Sequence, residues 1–130
     1  MFPDDVLYHK EHAWVKVSGN KAKIGISHYA QETLGDIVYV DEPEVDSTVD
    51  AETELTQIES TKATSSVISP VGGTVLEFNE ELGDSPEIIN EDPYGKGWIA
   101  VIEMYDESQL DDLMDGTDYE KYIEDEVKLK

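Results

Sequence analysis

The stretch from Thr53 to Val75 constrains the fold more than any other part of the chain. Its first half alternates in the manner of a β-strand, with one face carrying Leu55, Gln57 and Glu59 and the other carrying Thr56, Ile58 and Ser60. Its second half runs to a Ser69-Pro70 stop and a Gly72-Gly73 turn, after which a further strand begins. The residues STKAT between the halves are small apart from Lys62. The pattern predicts a β-hairpin with this lysine at its tip.

An amine among small neighbours at a hairpin tip is accessible to a modifying enzyme, which is the geometry that a swinging-arm cofactor needs. Two interpretations of Lys62 stay open, a modified lysine and an ordinary solvated turn lysine. Biotinyl domains also place a lysine on a hairpin, normally between methionines, whereas Thr61 and Ala63 flank Lys62. The local pattern therefore favours lipoyl attachment over biotin.

Charge and composition exclude several classes of partner and site. With 9 basic and 31 acidic residues the net charge is -22, so nucleic acid and anionic membranes would be repelled, whereas basic patches on proteins would be attracted. Such an acidic excess also suggests origin in a salt-loving cell, where screening makes dense negative charge tolerable. The absence of cysteine excludes disulfides, thiolate metal sites and cysteine nucleophiles. Any redox chemistry must therefore arrive on a cofactor.

No stretch is typical of a membrane span, a secretory h-region or an Arg-rich transit peptide. We expect a cytoplasmic protein, with a mature organellar form as the alternative.

The predicted fold is α+β and mostly β. Strand patterns cover residues 6–8, 12–17, 21–26, 36–40, 74–78 and 98–102 besides the hairpin. Ser27 is a suitable N-cap for a helix over 28–34 that Gly35 ends, and Ser85-Pro86 predicts a second short helix. We expect a small sandwich or barrel-like hammerhead of short antiparallel sheets, with the lysine-tipped hairpin at 53–75. Since no low-complexity linker is present, residues 1–130 should form one domain.

The C-terminal quarter changes to helical spacing and predicts peripheral helices at about 106–127. Leu110, Leu113 and Met114 mark the first helix. Thr117 and Glu120 form a capping box for the second, whose apolar stripe carries Tyr119, Tyr122, Ile123 and Val127. We interpret the many acidic residues of this region as a solvated outer face.

Nothing in the sequence indicates an independent active site. His9 and His12 are three residues apart, which points them to opposite faces of a strand and disfavours shared metal ligation. Gly72-Gly73 lacks the lysine and hydroxyl spacing of a phosphate-binding loop. The carboxylates are too numerous for spacing to single out an acid–base pair.

Short motifs in collinear order resemble one family, the H protein of the glycine cleavage system. They run from about Tyr8 to the end of the chain: Lys10-Glu11-His12 with Trp14-Val15, Gly25-Ile26 with Tyr29-Ala30-Gln31, Leu34-Gly35-Asp36-Ile37-Val38, Glu42-Pro43-Glu44-Val45, Glu59-Ser60 with Lys62-Ala63, Ser69-Pro70-Val71, and Asp84-Ser85-Pro86-Glu87 through Asn90-Glu91-Asp92-Pro93-Tyr94-Gly95 with Gly97-Trp98. This order is more specific than the hairpin lysine, because lipoyl domains of 2-oxoacid dehydrogenases share the hairpin but not the flanking segments.

The resemblance implies that Lys62 carries lipoic acid in amide linkage and that the protein is a carrier and not an enzyme. The implied partners are glycine decarboxylase with pyridoxal phosphate, aminomethyltransferase with tetrahydrofolate, dihydrolipoyl dehydrogenase, and a lipoate ligase or octanoyltransferase. The protein itself would be a monomer. Lysine plus a lipoyl group would reach about 14 Å from the backbone by bond counting, and the cofactor would supply the only thiols.

The resemblance also nominates two carboxylates. Glu59 matches a glutamate that the family carries three residues before its lysine, and would be recognised by the lipoylating enzyme; the alternative is a polar strand-end residue. The family's loaded arm is held in a surface cleft by a glutamate between the histidine and tryptophan of the first motif, where this chain has Ala13. Glu11 is the expected substitute. Thr61 and Ser66 also replace residues that are more often valine and aspartate.

Two alternatives remain from the sequence. One is a lipoate relay that hands lipoyl groups to 2-oxoacid dehydrogenase complexes, because it needs the same lysine. The other is an acidic interaction domain without modification, against which the retained Glu59, Ser60, Lys62 and Ala63 count.

Overall fold

The computed structural model describes residues 3 and 5–128, with side chains up to residue 126. Nine strands occur in this part of the chain: β1 Leu7–Tyr8, β2 Ala13–Ser18, β3 Lys21–Ile26, β4 Ile37–Val40, β5 Thr48–Val49, β6 Glu54–Ser60, β7 Thr64–Ile68, β8 Gly73–Phe78 and β9 Ala100–Met104. The helices are α1 His28–Leu34, α2 Glu81–Asp84, α3 Ile88–Glu91 and α4 Gly116–Lys128, with a 3₁₀ helix at Glu107–Asp112.

The strands form two antiparallel sheets that share one core. The larger has the order β1-β2-β3-β9-β8-β5, and the smaller has the order β4-β6-β7. Buried apolar side chains of both sheets pack into a single cluster, for example Ile24 and Ile102 with Ile58. The prediction of a mostly β fold of short antiparallel sheets is confirmed. Of its two forms the sandwich fits, because neither sheet closes into a barrel within residues 3 and 5–128.

A second, aromatic cluster attaches α4 to the larger sheet. It is formed by Val6, Tyr8, Trp14, Tyr119 and Ile123. The rings of Tyr8 and Tyr119 stack with centroids 4.3 Å apart. The predicted stripe on the last helix therefore faces the sheet, as judged from its buried Tyr119 and Ile123; the side chain of Val127 lies outside the described residues.

Several local predictions differ from the structure. The cap of α4 is Asp115 and not Thr117, because Asp115 Oδ1 accepts a 2.8 Å hydrogen bond from Asp118 N. Ser85 ends α2 and does not cap α3. The sequence reading missed α2 and the two-residue strand β5, neither of which is long enough to show a period. In β6, Leu55 is buried like Ile58, because pairing with β7 is irregular between Glu54 and Thr56 and shifts the alternation.

Candidate functional site

Lys62 stands at the tip of the hairpin formed by β6 and β7. Glu59 pairs with Thr64, and Ser60 N donates to Ala63 O at 2.8 Å to close the turn. The Oγ atom of Ser60 accepts hydrogen bonds from Lys62 N and Ala63 N, each at 3.1 Å. The Ser60 side chain therefore holds the backbone at Lys62 and Ala63 in place, while the lysine side chain itself is exposed.

The lysine stem lies against the end of α1. Gly35 follows this helix with a φ of +81°, and a Cβ built there would be 3.3 Å from Lys62 Cε. Thr61 N also donates to Asp36 O at 3.0 Å, which ties the hairpin tip to the same turn. Gly35 therefore has two roles, since it allows the positive-φ backbone that ends the helix and leaves room for the lysine.

The Asn90 side chain holds the turn between α1 and β4 in place by hydrogen bonds, and this role could not be predicted from the sequence. Its Nδ2 donates to Gly35 O at 2.8 Å and to Gln31 Oε1 at 2.9 Å, and its Oδ1 accepts from Ile37 N at 2.9 Å. The amide thus satisfies backbone groups on both sides of the turn between α1 and β4. The sequence indicated only turn-forming residues around position 90.

A cleft of about 220 Å³ runs along α1 beside the hairpin. Its walls come from α1, α4, the strands β3, β6 and β7, and the residues before and at the start of β2: Glu11, His12, Ala13, Ile26, Tyr29, Ala30, Thr33, Leu34, Ile58, Ser65, Ser66, Val67 and Glu126. Leu34 precedes Gly35, so the cleft begins beside the lysine stem. From Leu34 to Tyr29 it follows α1 for about 7.5 Å at the usual helical rise.

Two carboxylates lie at the end of the cleft away from the lysine. The predicted Glu11 lines it, as does buried Ala13. Sequence reasoning missed Glu126, which reaches the cleft from α4 and whose Oε2 lies 3.3 Å from His12 Nε2. That oxygen is shielded from solvent and, within the described part of the chain, has no hydrogen-bond partner. Only tertiary packing brings Glu126 here, so no local signal could have identified it.

The His12 ring joins this wall to the first turn of α1. Its Nδ1 lies 2.7 Å from Tyr119 OH, and Ser27 Oγ lies 2.7 Å from the same hydroxyl. Burial raises the pKa of Tyr119, so the phenol stays protonated and can donate. His9 pairs instead with Glu52, so the two histidines have different carboxylate partners and do not share a site. Among the described residues, no group of three His, Asp or Glu side chains could hold a metal ion.

Glu59 lies on the other face of the three-stranded sheet. Its neighbour Ile58 is buried and lines the cleft, whereas Glu59 is exposed opposite Tyr39 of β4. Successive residues of a strand point to opposite faces. The structure therefore brings Glu11 to the cleft and separates Glu59 from it.

Comparison with known proteins identifies the family. The family profile described as glycine cleavage H-protein matches residues 6–126. The chain belongs to this H-protein family. Glycine cleavage system H protein 4 of Aquifex aeolicus is 53% identical over 124 residues, covering 95% of this chain and 72% of that protein. The H protein of Bacillus subtilis is 47% identical over 124 residues, covering 95% of this chain and 98% of its own length.

A solved H-protein structure confirms the fold. The crystal structure of a glycine cleavage system H protein from Mycobacterium marinum matches with a TM-score of 0.83 at 33% identity, covering 90% of this chain and 94% of that one. H proteins are lipoyl carriers in glycine cleavage and not catalysts, so this chain is a carrier component. Among the described residues, no helix has the length and apolar character that a membrane crossing requires.

Proposed function

We propose that Lys62 carries lipoic acid and that the protein takes the aminomethyl group of glycine from one enzyme to the next. The observation that carries this proposal is the exposed Lys62 amine on a rigid turn, beside a cleft, in an H-protein chain. The proposed partners are pyridoxal-phosphate-dependent glycine decarboxylase, tetrahydrofolate-dependent aminomethyltransferase and dihydrolipoyl dehydrogenase. A lipoate ligase or octanoyltransferase would modify the lysine. We further propose a single-domain monomer acting in the cytoplasm.

The residues around Lys62 fit a lipoyl group. Thr61 and Ala63 are exposed and small, so they leave the amine open to a modifying enzyme. The cleft begins at Leu34 beside the lysine stem, and its length of about 7.5 Å lies within an arm reach of about 14 Å. When attached, the group supplies a disulfide that can take up the one-carbon unit while being reduced.

The contribution of the protein is to position and shield. Ser60 fixes the hairpin tip, and the short rigid turn gives the cofactor a high effective concentration at a docked partner. Ile26, Leu34 and Val67 give the cleft apolar walls that exclude water. Glu11 and Glu126 place negative charge at its far end, where the cationic ammonium of a loaded arm would be stabilised. These two residues would replace the carboxylate that Ala13 cannot supply.

The acidic surface favours partners with basic docking faces. A net charge of -22 would accelerate encounter with such faces and slow encounter with acidic ones. If steering matters, association with glycine decarboxylase slows as salt rises. A salt-independent association rate would contradict this part of the proposal.

The first test is the intact mass of the protein purified from its own cells, with peptide mapping across residues 59–69. We expect a lipoyl mass on Lys62. A biotinyl mass would overturn the choice of cofactor. An unmodified lysine in cells that lipoylate other proteins would overturn the carrier proposal for this chain and favour an unmodified acidic interaction domain.

The second test separates glycine cleavage from lipoate relay. Lipoylated protein is supplied to glycine decarboxylase, and glycine–bicarbonate exchange is measured beside the Lys62→Arg variant, which keeps the positive charge but is not expected to be lipoylated. We expect exchange only with the wild-type protein. Wild-type protein that is lipoylated but gives no exchange would assign the chain to lipoate relay.

A further inference from the structure

An apolar patch lies beside Lys62 on the face of the three-stranded sheet opposite the cleft. It consists of Val38, which is 52% exposed, and Tyr39, which is 53% exposed. Both residues belong to β4, an edge strand of this sheet. Single exposed apolar residues are ordinary, but adjoining ones on a strand at the edge of a sheet favour association with another protein.

A local irregularity of the strand creates the patch. In a regular strand, neighbouring side chains alternate between the two faces, so that one of Val38 and Tyr39 would be covered. The pairing register between β4 and β6 shifts between Ile37 and Tyr39. As a result Val38 and Tyr39 are both exposed, whereas Ile37 and Val40 on either side of them are buried. A β-bulge commonly re-aims side chains in this way near functional sites.

The patch is close to the lysine. Tyr39 pairs directly with Glu59, and Ile37 pairs with Ser60. Glu59 precedes Lys62 by three residues, and because the chain turns between Ser60 and Ala63 the two are closer than the roughly 10 Å of an extended strand. Any protein that encloses the Lys62 amine from this face therefore meets the tyrosine ring and the Glu59 carboxylate.

Negative charge surrounds the ring. A hydrogen bond to Asp41 raises the pKa of Tyr39, and the nearby charges of Asp41, Glu59 and Glu42 act in the same direction. All three carboxylates belong to exposed residues. A complementary partner surface would have an apolar pocket for the ring, bordered by lysine or arginine.

Distance indicates which partner needs this surface. An enzyme that attaches the cofactor must bring a carbonyl carbon to Lys62 Nζ, about 6 Å from the lysine Cα by bond counting. Enzymes that act on the finished arm can work about 14 Å away. The attaching enzyme is therefore the partner that has to cover the hairpin tip most closely.

We propose that Val38 and Tyr39 form a docking surface for the enzyme that acylates Lys62, beside the Glu59 carboxylate that the family resemblance already nominates for recognition. This inference rests on the proposed modification of the lysine. In the reaction the unprotonated amine attacks the carbonyl carbon of a lipoyl adenylate or an octanoyl thioester. A carbon–nitrogen bond forms, the bond to adenylate or thiolate breaks, and the amine loses one proton to solvent.

The test measures the lipoylation rate of unmodified protein with purified lipoate ligase, lipoate and ATP, followed by intact mass. The variants are Tyr39→Ala and Val38→Ser, with Tyr105→Ala as the matched control, because Tyr105 is 63% exposed and follows β9 of the other sheet. We expect kcat/KM to fall at least tenfold for Tyr39→Ala and severalfold for Val38→Ser. The control should stay within twofold of wild type.

A second measurement excludes a general effect on the site. Fully lipoylated Tyr39→Ala should be reduced by dihydrolipoyl dehydrogenase and NADH at the wild-type rate. Equal lipoylation rates for Tyr39→Ala and Tyr105→Ala would overturn the docking surface while leaving Lys62 as the modified residue. An equal loss in the reduction step, or a wild-type dimer that Tyr39→Ala dissociates, would reassign the patch to another partner or to a second copy. A wild-type protein that is never acylated would overturn the proposed function as well.

Discussion

The Nε2 atom of His12 lies 3.3 Å from the Oε2 atom of Glu126, so the turn before β2 and the last part of α4 meet at the far wall of the cleft. The contact is only partly exposed, with the His12 side chain 19% and the Glu126 side chain 32% accessible. It connects the C-terminal helix to the region where a cationic cargo would rest.

Replacing Glu126 by Gln should lower the free energy of unfolding by up to about 1 kcal/mol at a pH where the His12 ring is protonated, since partly exposed ion pairs contribute at this level. Urea unfolding measures the change. The matched control is Glu124→Gln, which removes the same charge from an exposed position on the same helix. An equal effect of both variants would show that the loss of net charge, and not the contact with His12, is responsible.

Replacing Gly35 by Ala should affect both stability and modification. The backbone conformation of Gly35 costs about 1–3 kcal/mol for a residue with a Cβ, and the added carbon would lie 3.3 Å from Lys62 Cε. We expect a lower urea midpoint and a slower lipoylation of Lys62. Gly83→Ala is the control, because a Cβ there meets nothing within 4 Å. If both variants behaved alike, the turn beneath the lysine would not be the cause.

Alkaline pH should destabilise the protein through Tyr119. Burial raises the pKa of this phenol in the folded state, so its proton is retained there while the unfolded tyrosine ionises near pH 10. The associated stability is complete below pH 10 and is lost as pH rises through the folded-state pKa. Urea unfolding between pH 8 and 11 should show a smaller alkaline loss for Tyr119→Phe than for wild type. Exposed Tyr105→Phe should retain the wild-type slope.

Salt should stabilise the protein if its acidity reflects a saline environment. A net charge of -22 on a chain of 130 residues gives strong self-repulsion, which screening relieves. Thermal unfolding from low to molar sodium chloride should show a rising Tm. A Tm that is independent of salt would argue against halophilic origin.

Elements set by local chemistry could be predicted from the sequence, whereas those set by tertiary packing could not. Helix α1 was predicted with its observed bounds because Ser27 and Gly35 cap its two ends. Ser27 Oγ accepts a hydrogen bond from Ala30 N, and Gly35 adopts a positive φ. The lysine hairpin followed from strand alternation around small residues. The predicted alternation fails at Leu55, which is buried like Ile58 although the pattern placed it on the opposite face, because a bulge breaks the period of two.

The far wall of the cleft shows the limit more clearly. Glu126 comes to His12 from more than a hundred residues away in the sequence, through the packing of Tyr119 and Ile123 on the sheet. A collinear family resemblance suggested Glu11 but could not nominate a residue from the C-terminal helix. The Asn90 contacts to Gly35 and Ile37 are equally non-local.

The sheet β4-β6-β7 is one layer of backbone with different surroundings on its two sides. Ile58 faces the cleft, and Glu59, the next residue, faces water beside Tyr39. Residues on one face of a single strand would thus serve attachment of the cofactor, and the alternating residues on its other face would serve protection of the cargo. The outer positions could be redesigned to accept a different attaching enzyme while the inner ones, and the cargo they protect, stay as they are.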